Sequence, residues 1–323
     1  IRISVKEGTD MTSLAPIFEL TPGATISPAS GSVQNFTTPV RYTVTSEDKA
    51  WHRVYAITAR EQKASNIPTT YHFEKVRIMQ NVWQEFYEEQ DSGNELTWAS
   101  GNKGFKWAMS EAATEDYPTT QIDNGKTGKC VKLETRLTGD LGNMVGMPIA
   151  AGNLFIGSFD MLNAITNPLS ATRFGTPFYN KPLRLTGYYK YKAGEQFYEN
   201  GEYTSRKDIF NIYAIFYDGV KYDSAGKGTD VTLDGNLPNQ NYEHSSMVAL
   251  ALVSNPQETE GDEWKFFDIP FDYQRYGKKI DEARLAKGEY KIGIIFASSK
   301  DGATFEGAPG STLLIDEVEL IYE

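Results

Sequence analysis

The sequence predicts an all-β protein. Three observations carry that prediction. Tyr (19), Phe (17) and Trp (5) are abundant among 323 residues, and these residues favour strands. Glycine is frequent (28), and apolar runs are short and bounded by Gly, Asn, Asp and Pro clusters. Most connections are too rich in turn residues to hold the crossover helices of a parallel α/β sheet, so the strands should pair antiparallel. Strand candidates are Lys129 to Leu137, Leu183 to Tyr191, Ile209 to Tyr217, Met247 to Val253, Lys265 to Phe271, Tyr290 to Ala297 and Leu313 to Tyr322. Only Asn81 to Gln90 and Ile280 to Lys287 look helical, and both are short.

The length suggests about two domains. Residues 1–62 read as a small immunoglobulin-like β-sandwich: Pro16, Pro22, Pro28 and Pro39 punctuate short alternating runs at Tyr42 to Thr45 and Trp51 to Ile57. The polar stretch 60–70 reads as the linker. Residues 71–323 show no second break in composition and read as one large jelly-roll β-sandwich.

Charge and residue usage exclude several functions. A net charge of −11 disfavours nucleic acid, whose binding depends on Lys and Arg displacing counterions. The longest aliphatic run, Met247 to Val253, is far short of the ~20 residues of a spanning helix. One Cys and three His exclude an internal disulfide and the usual local zinc sites, so any metal should be a hard cation held by oxygen. Neither a nucleotide nor a redox cofactor is expected. A Gly-rich stretch at 139–146 lacks the Lys-Ser/Thr ending of a phosphate loop. The chain starts at Ile1 without a charged-then-apolar leader, which reads as a mature or trimmed chain whose targeting segment has been removed.

Strand alternation places Leu314, Asp316, Val318 and Leu320 on one face of the last strand and Leu313, Ile315, Glu317, Glu319 and Ile321 on the other. A carboxylate aimed into an apolar layer needs a cation or several hydrogen bonds. Glu74 is similarly aligned with Val76 and Ile78 near the start of the same domain. If the first and last strands lie side by side, Glu74 and Asp316 could hold a structural calcium ion with backbone carbonyls. Hydrogen bonds from loop amides to one acid, with the other at the sheet margin, are the alternative.

Aromatic residues cluster near loop-like segments, and sugar C–H faces stack on such rings while hydroxyls seek polar neighbours. Trp98 and Trp107 flank Gly-Asn-Lys-Gly at 101–104 and are the leading candidates, with Asn102, Tyr117, Arg173 and Tyr189 as further sugar contacts. Core burial is the competing fate of each ring. A glycosidase would need two carboxylates flanking the bond. Asp208, Asp218, Glu243, Glu195 and Glu134 are available for that, although surface solvation is the default for each. His52, His72 and His244 form no arrangement with a nucleophile, and Cys130 reads as a small core residue.

Four segments resemble the PCMD (putative carbohydrate metabolism domain) family: AlaAlaGlyAsnLeuPheIleGly at 150–157, PheGlyThrProPhe at 174–178, LysProLeuArgLeuThrGlyTyrTyrLysTyrLys at 181–192, and the run from Ser298 to Val318. Residues 20–44 are similar to the immunoglobulin-type unit that precedes such domains in surface lipoproteins. The resemblance implies a jelly roll similar to carbohydrate-binding modules, exported and lipid-anchored through a cysteine upstream of Ile1, facing the cell surface or the periplasm. Phe73-Glu74 and Ile315-Asp316-Glu317-Val318 match the pairs that hold a calcium ion in such modules. It implies no catalytic residues. The expected function is glycan binding or handling. The alternatives are a glycoside hydrolase or lyase using a carboxylate pair, and an adhesive or scaffolding protein without a sugar ligand.

Overall fold

The computed structural model describes residues 1–6, 8–62, 67–90 and 95–323. The chain divides into two compact units, Ile1–Ala64 with Glu323, and Ser65–Tyr322. Residues 63–66 of the expected linker lie outside the described residues, while residues 60–62 continue a strand and Thr70–Tyr71 begin the next.

The smaller unit is a four-stranded sheet of β1 (Arg2–Lys6), β2 (Thr25–Ser27), β3 (Val40–Thr45) and β4 (His52–Gln62), in the order β1-β4-β3-β2. β1 runs parallel to β4, and the other pairs are antiparallel. Phe36, Tyr42 and Ile57 are its buried residues, with Phe18 edge-on to Tyr42 at 4.8 Å.

The larger unit rests on two antiparallel sheets. Their strands are β5 (Thr70–Tyr71), β6 (Thr119–Ile122), β7 (Cys130–Glu134), β8 (Asn153–Phe155), β9 (Thr176–Phe178), β10 (Pro182–Lys192), β11 (Asn211–Asp218), β12 (Met247–Leu252), β13 (Lys265–Pro270), β14 (Tyr290–Ala297) and β15 (Thr312–Tyr322). One sheet runs β13-β10-β15-β7-β6, with β5 also on β15; the other runs β8-β14-β11-β12, with β9 also on β14. Leu185, Tyr189, Leu313 and Ile315 of the first sheet and Ile212, Phe216, Ile294 and Phe296 of the second belong to one buried apolar cluster. This is the β-sandwich expected of 71–323. Its opposite ends meet, because Tyr71 pairs with Val318.

Two local expectations are corrected. The stretch Asn81 to Gln90 is not helical: Val76–Met79 and Trp83–Glu89 form an antiparallel hairpin, with Gln80 and Asn81 both at positive φ in its turn. Phe86 and Glu88, two apart, are buried on one face of the second strand, and Trp83 is buried on the other in a cluster with Phe105 and Tyr117; the three-residue step from Trp83 to Phe86 imitates a helical stripe. Ile280 to Lys287 does contain a helix, Glu282–Ala286, capped by Asp281, whose carboxylate accepts from Ala283 N and Arg284 N.

The second correction concerns β15. Leu313 and Ile315 face the core, and so do Val318 and Leu320, so the two-residue alternation is broken once between them. Tyr188 of β10 lies opposite Asp316, yet Thr186 lies opposite Glu319. Two steps on β10 therefore span three on β15, which is a β-bulge. Glu317 takes φ 48° within it. Gly187 stands across from it, where a Cβ would lie 2.7 Å from Phe267 and 2.9 Å from Val318. Asp316 thus shares a face with Leu314, away from the core, while Val318 and Leu320 face inward. It is nonetheless 0% exposed, because the loop leading into β7 covers it.

Trp98 lies in the core among Tyr71, Phe73 and Phe296, with ring centroids 5.1, 5.6 and 5.9 Å away. Its backbone N–H donates to Phe86 O at 2.9 Å, tying the hairpin to the sandwich. Truncating an aromatic of this size in a core costs about 3–5 kcal/mol. Trp98→Ala is therefore expected to lower stability by that amount in urea unfolding, and a loss below about 1 kcal/mol would contradict the core assignment.

Candidate ligand-binding site

β11 is buried along nearly its whole length. One side of it faces the sandwich core; Tyr213, Ile215 and Tyr217 face the other way, into a second cluster with Phe155, Phe174 and Ile295. The strands Gly157–Phe159, Thr172–Phe174 and Leu233–Asp234 form a small sheet, and Phe174 and Leu233 from it belong to this cluster. Beside them lie three short helices, α1 (Asn102–Ala108), α2 (Gly139–Met144) and α3 (Met161–Thr166). A cavity of about 170 Å³ remains among these pieces. Asn211, Tyr213, Ile295 and Ala297 of the second sheet line it, together with Trp107 of α1, Phe159, Ile165 of α3 and Phe305.

Local sequence explains the walls. α3 begins at Asp160, whose carboxylate accepts from Leu162 N at 2.9 Å, and it ends before Pro168. α2 packs tightly on its own entry: a Cβ on Gly142 would lie 2.0 Å from Thr138 Oγ1 and 2.7 Å from Met147 O. Gly101, just ahead of α1, donates its N–H to Asn153 Oδ1 at 2.8 Å, which fixes that helix to β8.

Of the six residues expected to contact sugar, the cavity takes Trp107, which is 38% exposed. Trp98 is a core residue at 1% exposure and is corrected accordingly. Asn102 is fully buried; its amide donates to Thr119 O at 2.7 Å and accepts from Thr119 N at 3.1 Å, so it is a structural clamp. Tyr117 is fully buried against Phe105. Tyr189 packs on Phe210 at 4.8 Å inside the sandwich. Arg173 is exposed between Thr172 and Phe174, which line the cavity, so strand alternation turns it the other way. The sequence reading missed Phe159, Lys300 and Phe305. Their one common signal was position beside glycine-rich or capping residues, which many surface residues share.

The acids named from sequence are engaged elsewhere. Asp208 is buried and accepts from Ala308 N, Ile209 N, Ser299 Oγ and Ser311 Oγ at 2.6–2.9 Å. Burial pushes its pKa up, and those bonds oppose the rise. Asp218 forms a two-pronged pair with Arg284 at 2.6 and 2.8 Å. Glu243 pairs with Arg275, and Glu134 lies between Lys132 and Arg136. Glu195 is exposed. Among the described residues lining the cavity, the one side chain charged at neutral pH is Lys300. Cys130 is fully buried, and burial, followed by Asp316, pushes its thiol up to about 12, which makes it inert as a nucleophile.

Glu74 and Asp316 converge on one loop, that between β6 and β7. Asp316 Oδ2 accepts from Thr127 N at 3.0 Å and Oδ1 from Glu317 N at 2.9 Å; Glu74 Oε1 accepts from Lys129 N at 2.9 Å. Glu74 is exposed, not aligned inward, because Phe73 takes φ 55° immediately before it; Ile78 is also 52% exposed. Lys129 O and Asp316 Oδ2 lie on the same side of Gly125, 2.6 and 2.8 Å from where its Cβ would stand, while Glu74 meets the loop at Gly128 and Lys129. Calcium takes six to eight oxygens, so water would have to complete its shell. No group of three or more His, Cys, Asp or Glu suited to a metal occurs among the described residues.

Fold and site together define a class: a β-sandwich protein with an aromatic-lined cavity on the flank of one sheet. Residues 72–321 match the profile described as "Putative carbohydrate metabolism domain", and the chain belongs to that family. Residues 1–59 match the profile described as "SGBP, N-terminal". A crystal structure described as a putative glycoside hydrolase from Bacteroides thetaiotaomicron VPI-5482 is 47% identical, over 100% of this chain and 90% of that chain, with a TM-score of 0.72. Another, described as a putative glycoside hydrolase from Bacteroides vulgatus ATCC 8482, is 50% identical, over 79% of this chain and 98% of that chain, with a TM-score of 0.73. No curated protein sequence matches the chain.

Burial raises the pKa of Asp316 to about 6, against the lowering effect of the Thr127 and Glu317 amides. A raised carboxyl pKa means that the folded state holds its proton longer than the unfolded chain does. Its contribution to stability therefore falls as pH rises from about 4 to about 6 and is level above that. Carbonyl ¹³C NMR in calcium-free buffer is expected to show Asp316 titrating near pH 6, and the melting temperature of Asp316→Asn is expected to fall less than that of wild type over this window. A midpoint near the ordinary carboxylate value of about 4 would contradict the desolvated placement. A midpoint driven downward by calcium chloride would mark a metal joining the two acids.

Proposed function

We propose that this chain is a non-catalytic glycan-binding protein of the cell surface and that its larger unit holds sugar at the Trp107 cavity. The observation that carries this reading is the composition of the cavity: aromatic walls with Trp107 partly exposed, and Lys300 as the charged side chain. Sugar C–H faces stack on such rings. Hydrolysis needs two carboxyl groups, ~5–5.5 Å apart for retention or ~6.5–9.5 Å for inversion, and an amine supplies neither. The carbohydrate family of the larger unit and the surface glycan-binding profile matched by residues 1–59 support the same partner and location. In this reading a lipid attached upstream anchors the chain, the smaller unit serves as a spacer, and calcium, if bound at Glu74 and Asp316, has a structural role.

A second reading, glycoside hydrolysis, is favoured by how the two similar solved structures are described. Its place would be the open groove beside α1, which Glu111, Asp116 and Glu134 line, and not the cavity.

A glycan array followed by calorimetry tests the proposal. Wild type is expected to bind at least one glycan, and Trp107→Ala to weaken that binding at least about tenfold, a loss of about 1.4 kcal/mol. Its melting temperature should move far less than that of a core truncation. Binding that survives Trp107→Ala would move the site elsewhere. Release of reducing sugar by wild type that Glu134→Gln abolishes would establish the hydrolase reading, and no binding to any glycan would favour a scaffolding role.

A further inference from the structure

The floor of the cavity suits an apolar group better than a sugar ring. Four of its polar side chains are already bonded within the protein. Asn153 accepts from Gly101 N and donates to Ala151 O; Asn211 donates to Tyr242 Oη at 2.8 Å. Thr138 Oγ1 donates to Met147 O, and Ser299 Oγ donates to Asp208 at 2.6 Å. A pyranose carries hydroxyls on most of its carbons, and each one buried without a partner loses its bonds to water. An aromatic ring loses none.

Size points the same way. The cavity measures about 170 Å³, close to the ~150 Å³ apolar cavity that accepts benzene in another protein. Three of the lining residues, Trp107, Val145 and Ile165, are themselves partly exposed, and further apolar side chains on the same three helices are exposed. Trp107, Leu141, Val145 and Ile165 on and beside the three helices are 38–45% exposed, and Met144 and Leu162 are 83% and 85% exposed. Apolar side chains left in water around the mouth of a cavity mark a place for a ligand.

Resting on the glycan-binding reading, we infer that the ligand is an aryl-substituted sugar, an aromatic ester or aglycone, whose ring enters the cavity while its sugar stacks at Trp107. The substituent then confers selectivity, because an unsubstituted glycan leaves the apolar floor empty.

Calorimetry on the full chain with a panel of 4-nitrophenyl glycosides, the matching methyl glycosides and methyl ferulate tests this. The aryl member of at least one pair should bind at least tenfold more tightly than its methyl counterpart. Ala297→Phe, which fills the cavity from β14, and Ala164→Phe, which fills it from α3, should each erase that advantage while circular dichroism remains that of wild type. Either variant suffices if the other fails to fold. Equal affinities within every pair overturn the inference, as does an advantage that survives a folded filled variant, or no binding of any aryl compound. Equal affinities that Trp107→Ala abolishes would leave the glycan reading intact and remove the aryl one. Methyl ferulate binding that a filled variant abolishes, with no glycoside bound, would keep the cavity assignment and remove the sugar.

Discussion

The sheet of β8, β14, β11 and β12 is buried on both faces, and everything at the site follows from how its outer face is covered. A sheet buried on one side can leave polar residues in water on the other. A strand such as β11, in which seven of eight residues are buried, cannot. The cover comes from short pieces, a three-stranded sheet and helices of six or seven residues, and not from a continuous third layer. Short pieces meet imperfectly, and the gap between them is the cavity. The rigid floor supplied by β11 and β14 means that a ligand meets a preformed surface, which reduces the ordering cost of binding.

A second constraint lies on the opposite sheet. The bulge at Asp316 and Glu317 lets one strand keep two apolar pairs facing inward while turning a carboxylate toward a loop. That carboxylate receives the amide of Thr127, and Glu74 receives that of Lys129, so the loop before β7 is held by acids from both ends of the unit. A buried carboxylate would be costly without those donors. With them it becomes a clasp where the sandwich joins its first and last strands, Tyr71 against Val318.

Much of this was legible in the sequence. The seven strands proposed between Lys129 and Tyr322 form where short apolar runs end at turn residues, because antiparallel strands and their turns are local signals. Burial of Asp316 was legible as well, but its direction was not: a bulge inserts one residue without any change in composition, and every side chain beyond it changes face. The hairpin at Val76–Glu89 was misread because its turn uses Gln80 and Asn81 at positive φ with no glycine or proline to mark it. The site was the least legible part. Trp98 and Trp107 flank the same Gly-rich stretch and look alike in sequence. Only the packing of Phe73 and Phe296 around one and the opening beside the other separates them. The cavity gathers residues from Gly101 to Phe305, and no local pattern reports a convergence over that span.

The functional reading depends on an intact glycan ligand bound at Trp107, at the mouth of the cavity on the outer face of this sheet. A crystal structure of the chain soaked with the tightest ligand from a glycan screen tests it most directly. Density for an uncleaved ligand is expected against Trp107, above Asn211, Tyr213 and Ala297. Density for cleaved products between Glu111, Asp116 and Glu134, or for ligand anywhere else with the cavity empty, would contradict it.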